Sequence, residues 1–391
     1  MITFEEGLKH VLESAFETGT ETVSFLASAG RVLAADVISD IDMPPFNKTA
    51  VDGYACRVLD LGKPLKVLEV INAGKQPVNI VTDGTCSKIM TGAPVPEGAD
   101  FVFMVEDAES IADGRVRFTG KSRKDNIARF GEDVRNGDMV LTRGRLIRPQ
   151  DIAVMASVGC TLVQVKQMPR AGIISTGSEL VEPSSRPGKS QIRNSNAYQL
   201  LAQCERAGAT GRYYGIAIDD EAVTLNMLSR ALEENDVVIL TGGVSAGDYD
   251  FVPAVLENAG VKILFDSMAV QPGRPTTFGV HSSALVFGLP GNPVSSFIQF
   301  ELLVKPLFMK MMQCEWKPVQ WELPLAEDFR RKNSIRTGWL PVIITAKGKV
   351  RPVEYHGSAH ISALPDADGI MMVQAGISSI KAGTKVYVRQ I

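Results

Sequence analysis

The chain has 391 residues, of which 45% are hydrophobic and 22% charged. That composition excludes a disordered or fibrous protein, and the length accommodates roughly two to four domains. A net charge of -3 and an isoelectric point near 5.9 leave no general basic footprint, so nucleic acid is not an expected partner and any anion must be met locally.

The opening M-I-T-F-E-E-G carries acids where a signal peptide carries bases, and no apolar run reaches the ~18 residues of a membrane span. Cys56, Cys86, Cys160, Cys204 and Cys314 are scattered, odd in number and without C-x-x-C, which suggests neither a disulfide framework nor a zinc site. The expectation is a cytoplasmic protein with no membrane association.

Thr3 and Glu6 have capping-box spacing, and Phe4, Leu8, Val11, Leu12, Ala15 and Phe16 recur at helical intervals, predicting an amphipathic helix over 4–17. A partly helical or extended segment follows over 23–37. Pro44-Pro45 then enforces extended chain, and Asp52-Gly53 is a turn signal, so Asp52 reads locally as a turn residue. Residues 64–148 carry short β-prone runs (65–71, 101–106, 116–119, 139–141) between glycine-rich and proline-rich turns, the pattern of a small sheet or barrel. Thr91 sits there in K-I-M-T-G-A-P-V-P, a shaped loop or an ordinary turn with a capping hydroxyl. Arg129, Arg135, Arg143, Arg145 and Arg148 read first as a solvated face and second as oxyanion recognition. Pro149 suits the first turn of a helix to about 158.

From Pro169 the pattern changes. Strands at 171–175, 211–218, 236–240, 261–265 and 284–288 alternate with helices at 196–207, 221–234, 251–258 and 294–311, predicting a mostly parallel, doubly wound sheet over 169–318. The tail, 319–391, returns to short strands (339–345, 349–353, 370–374, 385–389) and predicts a small β-barrel or sandwich. The fold class is therefore multidomain α/β plus β. An inserted mainly β domain (46–141) is flanked by an N-terminal linker region made of 1–45 and 142–168.

Ligands of open parallel sheets bind outside the carboxyl ends of the strands. Four polar clusters fall there: T-G-S-E-L with Glu179, Asp219-Asp220, T-G-G-V-S-A-G-D-Y-D with Asp248 and Asp250, and L-P-G-N-P-V-S. One such aspartate is often only a helix N-cap, worth ~1 kcal/mol. Four on one rim point to a ligand. Glycine N–H groups at Gly242, Gly243 and Gly247, with Ser245, attract anions, whereas the carboxylates repel them unless a cation intervenes. The mixture suggests a phosphorylated ligand with Mg²⁺, for which Asp248 and Asp250 are candidate ligands, Asp250 with help from Glu179 or Asp219. Arg274 and Asn292 would reach the remaining oxygens, while Pro290, Gly291 and Pro293 form a stiff strand-to-helix turn. No G-x-x-x-x-G-K-[ST], G-x-G-x-x-G or complete G-x-S-x-G is present, and His356 and His360 lack H-E-x-x-H.

The blocks P-P-F-N-K-T-A-V-D-G-Y-A, I-M-T-G-A-P-V-P-E-G-A-D, G-E-D-V, I-I-S-T-G-S-E-L, S-N-A-Y, T-G-G-V-S-A-G-D-Y-D and G-L-P-G-N-P-V-S resemble, in order, those of the MoeA family, which includes the E domain of gephyrin. The resemblance implies a MogA-like central domain. It also implies insertion of molybdate into adenylated molybdopterin, with Mg²⁺-dependent release of AMP, by a homodimer whose site lies between the rim of one subunit and β loops of the other. Asp52, Thr91, Glu179, Asp219, Asp250, Pro290 and Pro293 match residues the family uses at that site, with the adenylyltransferase and apo-molybdoenzymes as further partners. Asn47, Val51, Ser178 and Gln271 depart from the family pattern, and Gln271 removes a cation that Arg274 would replace. The rival readings are the related ATP-dependent adenylyltransferase, which lacks the extra β domains, and a non-catalytic scaffold that binds the cofactor.

Overall fold

The computed structural model describes residues 1–121, 123–218, 220–243, 252–354 and 357–391. Its centre is a six-stranded sheet in the order Thr210–Ala217, Arg170–Thr176, Val237–Thr241, Leu285–Leu289, Thr277–Val280, Lys262–Phe265. The first four are parallel, Thr277–Val280 runs antiparallel to them, and Lys262–Phe265, antiparallel to its one neighbour, runs in their direction again. Val237-Val238-Ile239-Leu240 reads as a continuous apolar run because both faces of the sheet are covered. Val237 and Ile239 pack with helix Asn196–Arg206 and the helical run from Pro293 to Met311. Val238 and Leu240 pack on the opposite face with Glu221–Glu234 and Val252–Asn258. The sheet is therefore doubly wound, as expected. The strand Thr277–Val280 has no counterpart in the sequence reading, because Pro272, Gly273 and Pro275 break the apolar pattern just before it.

The expected helix over 294–311 is interrupted by a π-helical segment, Phe300–Val304, between Pro293–Gln299 and Lys305–Met311. Glu301, 1% exposed, lies in that segment. It pairs with Arg206, with Lys305 Nζ at 3.1 Å, and accepts from Gln203 Nε2 at 3.0 Å. The cost of burying the charge is offset by these cations, which hold the carboxyl below the usual glutamate range.

The first helix, Phe4–Glu13, is capped by the predicted box: Thr3 N–H donates to Glu6 Oε2 at 2.8 Å and Glu6 N–H to Thr3 Oγ1 at 3.2 Å. It stops short of residue 17, as the Ser14 hydroxyl donates to the His10 carbonyl. Val11 joins the α/β core and the Phe4 ring meets Trp339 edge-on at 5.3 Å, so this helix links two distant parts of the chain.

Two paired strands, Thr20–Ser24 with Leu162–Lys166 and Val37–Ile38 with Met139–Leu141, carry the chain into and out of the β insertion. The insertion's six-stranded sheet runs Phe101–Met104, Gly53–Cys56, Thr85–Ile89, Leu65–Ile71, Arg115–Phe118, Ala108–Ile111. The tail forms a sheet of Thr337–Ile344, Gly369–Val373, Lys385–Gln390 and Gln320–Pro324, with Val350–Pro352 on its other edge. Ala326 N–H donates to the Val350 carbonyl at 2.7 Å, which curls these edges together into a small barrel. Val270–Gln271, from the α/β segment, pairs with Thr337-Gly338 and anchors that barrel. Among the described residues no helix is long and apolar enough to cross a membrane.

Candidate functional site

Strand Arg170–Thr176 has Thr210–Ala217 on one side and Val237–Thr241 on the other. The chain therefore leaves it in one direction and returns on the opposite side, which opens a crevice at the carboxyl ends. A cavity of about 640 Å³ lies there. Thr176, Glu179, Gly242, Gly243 and the Pro290-Gly291-Asn292-Pro293 turn line it, so segments from three of the four predicted clusters converge.

The glycines are fixed by geometry. Gly242 has φ +101°, and a Cβ there would sit 2.3 Å from the Thr176 carbonyl oxygen. Gly243 has φ +60°. Only glycine combines that conformation with so close an approach of two strand ends. Glu179 folds back over Gly177, where an added Cβ would lie 2.5 Å from Oε2. Its backbone is held by the short parallel pairing of Leu180-Val181 with Ile192-Arg193, in which Ile192 N–H donates to the Glu179 carbonyl at 2.8 Å.

Two asparagines outside the expected site residues, one of them within the S-N-A-Y block, organise the wall. Asn196, 7% exposed, donates from Nδ2 to Thr241 Oγ1 and to the Gly291 carbonyl, both at 2.8 Å, and so ties a helix start to two rim segments. Asn194, 1% exposed, accepts from the Ser175 hydroxyl at 3.1 Å and the Ala197 N–H at 3.3 Å. Its Nδ2 donates to the Tyr213 hydroxyl at 2.8 Å, which in turn donates to Glu182. Tyr198 donates to the other Glu182 oxygen at 2.7 Å. Burial, and then the bond to Glu182, push the Tyr213 hydroxyl above the usual tyrosine range, so it stays protonated.

Asn292 is committed elsewhere: its Nδ2 donates to Ser358 Oγ at 2.9 Å, and the Val294 N–H donates to the Ser358 carbonyl at 3.1 Å. The C-terminal segment thus closes one side of the cavity, with Ala359 and Ile361 in its lining. Pro293 opens its helix at the first turn as anticipated. Arg274 is exposed and next to the lining residue Pro275.

Asp52 and Thr91 form a separate cluster. Thr91 donates to Asp52 Oδ1 from both its backbone N–H and its hydroxyl, each at 2.6 Å. The hydroxyl first and the N–H second hold the Asp52 carboxyl below the usual aspartate range. The bend falls on Ala50–Asp52, and Gly53 already begins strand Gly53–Cys56, where a Cβ would lie 2.0 Å from the Phe103 carbonyl oxygen. Within one chain neither Asp52 nor Thr91 lines the rim cavity.

The arginine-rich stretch is largely absorbed by ion pairs. Arg145 meets buried Asp151 at 2.8 Å, Arg129 pairs with Asp125, and Arg135 lies 3.8 Å from Asp42. Asn47, one of the family departures, accepts the Phe130 N–H at 2.8 Å, and Val51 packs into a small apolar cluster. Burial pushes the Cys56, Cys86 and Cys204 thiols up to about 12, leaving them unreactive. Asp219, Ser245, Gly247, Asp248 and Asp250 lie outside the described residues. Among the described residues no group of three or more His, Cys, Asp or Glu is arranged to hold a metal. Glu179 with the Thr176 and Thr241 hydroxyls does offer the hard oxygen donors that suit Mg²⁺.

Comparison with known proteins covers the whole chain. Residues 2–159 match the MoeA N-terminal region (domain I and II), 172–310 a family described as "Probable molybdopterin binding domain", and 322–391 the MoeA C-terminal region (domain IV). The chain is 34% identical to a molybdopterin molybdenumtransferase of Bacillus subtilis, covering 99% of this chain and 93% of the relative. It is 33% identical to the one from Staphylococcus aureus strain Mu50, covering 99% and 95%. Its fold is similar to the crystal structure of the molybdopterin biosynthesis moeA protein from Pyrococcus horikoshii OT3, with a TM-score of 0.86 at 31% identity and 100% coverage of both chains.

Proposed function

The chain belongs to the MoeA family, transferases of molybdenum cofactor biosynthesis, and from that premise we propose that it inserts molybdate into adenylated molybdopterin with Mg²⁺-dependent release of AMP. The observation that carries the reading is the cavity at the sheet's switch point, where glycine backbone, a glutamate and threonine hydroxyls face one space. That donor set suits a phosphorylated ligand with a hard cation.

Asp250, with Glu179 or Asp219, would hold the cation, which when bound supplies charge neutralisation for the pyrophosphate. The chain's own part is to bind and orient. Gly242 and Gly243 bring the backbone close to the anion, and Asn196 keeps their strand end in register with the Pro290–Pro293 turn. The C-terminal segment through Ser358 narrows access for water. N–H groups already in place stabilise charge that develops as AMP leaves, worth several kcal/mol at such sites.

The reading includes a cytoplasmic homodimer in which Asp52 and Thr91 of one subunit complete the rim of the other. The separation of that pair from the cavity within one chain supports this arrangement. Mixing an Asp52→Ala subunit with a Glu179→Gln subunit then rebuilds one intact site per mixed dimer and returns about one quarter of wild-type activity. Two inactive parents whose mixture stays inactive, despite subunit exchange, would contradict the shared site.

The deciding assay incubates the protein with adenylated molybdopterin while molybdate and Mg²⁺ are varied, measuring AMP and active cofactor. AMP release that needs neither ion, or a folded Asp250→Ala variant with the normal molybdate-dependent rate, sinks the mechanism. ATP-dependent adenylation of molybdopterin would favour the adenylyltransferase, and binding without consumption a scaffold.

A further inference from the structure

Among the described residues lining the 640 Å³ cavity, Arg193 is the sole lysine or arginine. Neither Asp219 nor the stretch 244–251 contributes another basic residue to the sequence. Arg193 belongs to the Ile192-Arg193 strand that supports the Glu179 backbone, and its Nε donates to the Ser185 carbonyl at 3.2 Å. That bond fixes one edge of the guanidinium, and among the described residues its two terminal nitrogens have no partner. The side chain is exposed, so no buried ion pair accounts for its presence.

A second hollow of about 610 Å³ adjoins the first, and the two share Arg193, Asn194 and Ser195. The second is mainly apolar and is bounded by Pro183 and by Tyr198. The Tyr198 ring is held through its hydroxyl by Glu182, whose other oxygen is tied to Tyr213 and through it to Asn194. The pair of hollows therefore has an aromatic wall in one half, glycine backbone in the other, and a guanidinium at the neck.

We infer that Arg193 is a substrate-binding residue: its terminal nitrogens contact the phosphate bridge of a ligand that spans both hollows, with one planar ring system seated beside Tyr198. A molecule with two heteroaromatic ends joined by a pyrophosphate fits this division, and a guanidinium fork matches two phosphate oxygens better than an ammonium does. The inference rests on the adenylated pterin being the substrate.

The test uses the full-length protein. Steady-state KM and kcat for adenylated molybdopterin are compared in wild type, Arg193→Ala, Arg193→Lys and Tyr198→Ala, across a range of ionic strength. Losing a charge-assisted contact raises KM about 10- to 100-fold in Arg193→Ala, leaves kcat within about threefold, and flattens the salt dependence of KM. Arg193→Lys recovers only part of the affinity. Tyr198→Ala raises KM without changing the salt dependence, because it removes a ring contact and no charge. Support of the Ser185 carbonyl alone would not move the salt slope. Normal wild-type turnover with an unchanged KM or an unchanged salt slope in Arg193→Ala overturns the role of Arg193 and leaves the functional reading standing. Absence of turnover by the wild-type protein overturns the reading on which it rests.

Discussion

Asn196→Ala should loosen the rim without unfolding the sheet. Asn196 is 7% exposed and its Nδ2 makes two 2.8 Å hydrogen bonds, to Thr241 Oγ1 and to the Gly291 carbonyl. Two neutral bonds contribute roughly 2 kcal/mol net, and orphaning the Gly291 carbonyl adds a desolvation penalty, giving about 2 to 4 kcal/mol. The loss falls on local opening of the rim rather than on the core beneath, because Val237, Ile239 and Phe287 pack independently of it. Hydrogen exchange read by mass spectrometry should therefore accelerate about 30-fold or more in peptides spanning Thr241 to Gly243 and Pro290 to Val294. Peptides from the strand Arg170–Thr176 should keep their protection. Asn196→Asp, nearly the same shape, should do at least as much harm, since it places a carboxylate oxygen against the Gly291 carbonyl. Wild-type exchange in both rim peptides of a folded Asn196→Ala protein would refute the role assigned to this side chain.

Gly242→Ala forces a Cβ against the Thr176 carbonyl at φ +101°; strain of about 1 to 3 kcal/mol should appear in chemical denaturation, together with a loss of ligand affinity. A variant as stable and as tight-binding as wild type would contradict the close-approach argument. Thr91→Val removes the largest cause of the lowered Asp52 carboxyl, so NMR titration should show that pKa rise toward the ordinary aspartate value; an unchanged titration would deny the contact. Glu301→Gln leaves Arg206 and Lys305 without their counter-charge and should cost about 3 kcal/mol near neutral pH. The folded pKa of Glu301 lies below its ordinary value of 4.5, so its stabilisation is complete above that value and is lost as pH falls through the folded pKa. Stability curves of wild type and variant should therefore converge in acid, and a constant gap down to pH 2 would argue against ionised Glu301.

Legibility in the sequence followed burial. Central strands covered on both faces appear as unbroken apolar runs, so 170–176, 237–241 and 285–289 could be placed with little error, and the polar clusters at their ends followed from topology. The strand Thr277–Val280 was hidden because proline and glycine precede it and its partners are remote in sequence. Asn194 and Asn196 were hidden for a different reason. An asparagine just ahead of a helix reads as ordinary capping chemistry, and nothing in N-S-N-A-Y tells that one amide caps while the other crosses to Thr241 and Gly291. Two buried asparagines flanking a serine at a helix start were the available signal. Gly53 is required for a tertiary reason, the neighbouring Phe103 carbonyl, which its local turn signal does not reveal.

Asp52 and Thr91 are joined across 39 residues of sequence. Their mutual hydrogen bonds satisfy part of what each can do, yet Asp52 keeps an exposed, ionised carboxylate with its second oxygen available. A threonine hydroxyl and N–H converging on one carboxylate oxygen fix the direction of the other. Within one chain the rim cavity does not include that oxygen, while the cavity has a glutamate and glycine backbone but only one basic side chain among its described lining residues. Each half therefore lacks what the other has: one a ligand to orient against, the other a second wall. In the proposed homodimer two copies of the chain supply one half each, and the subunit-mixing experiment separates this from a purely structural Asp52–Thr91 pair. A structural pair would abolish activity through the fold and could not be rescued by a partner whose own Asp52 is intact.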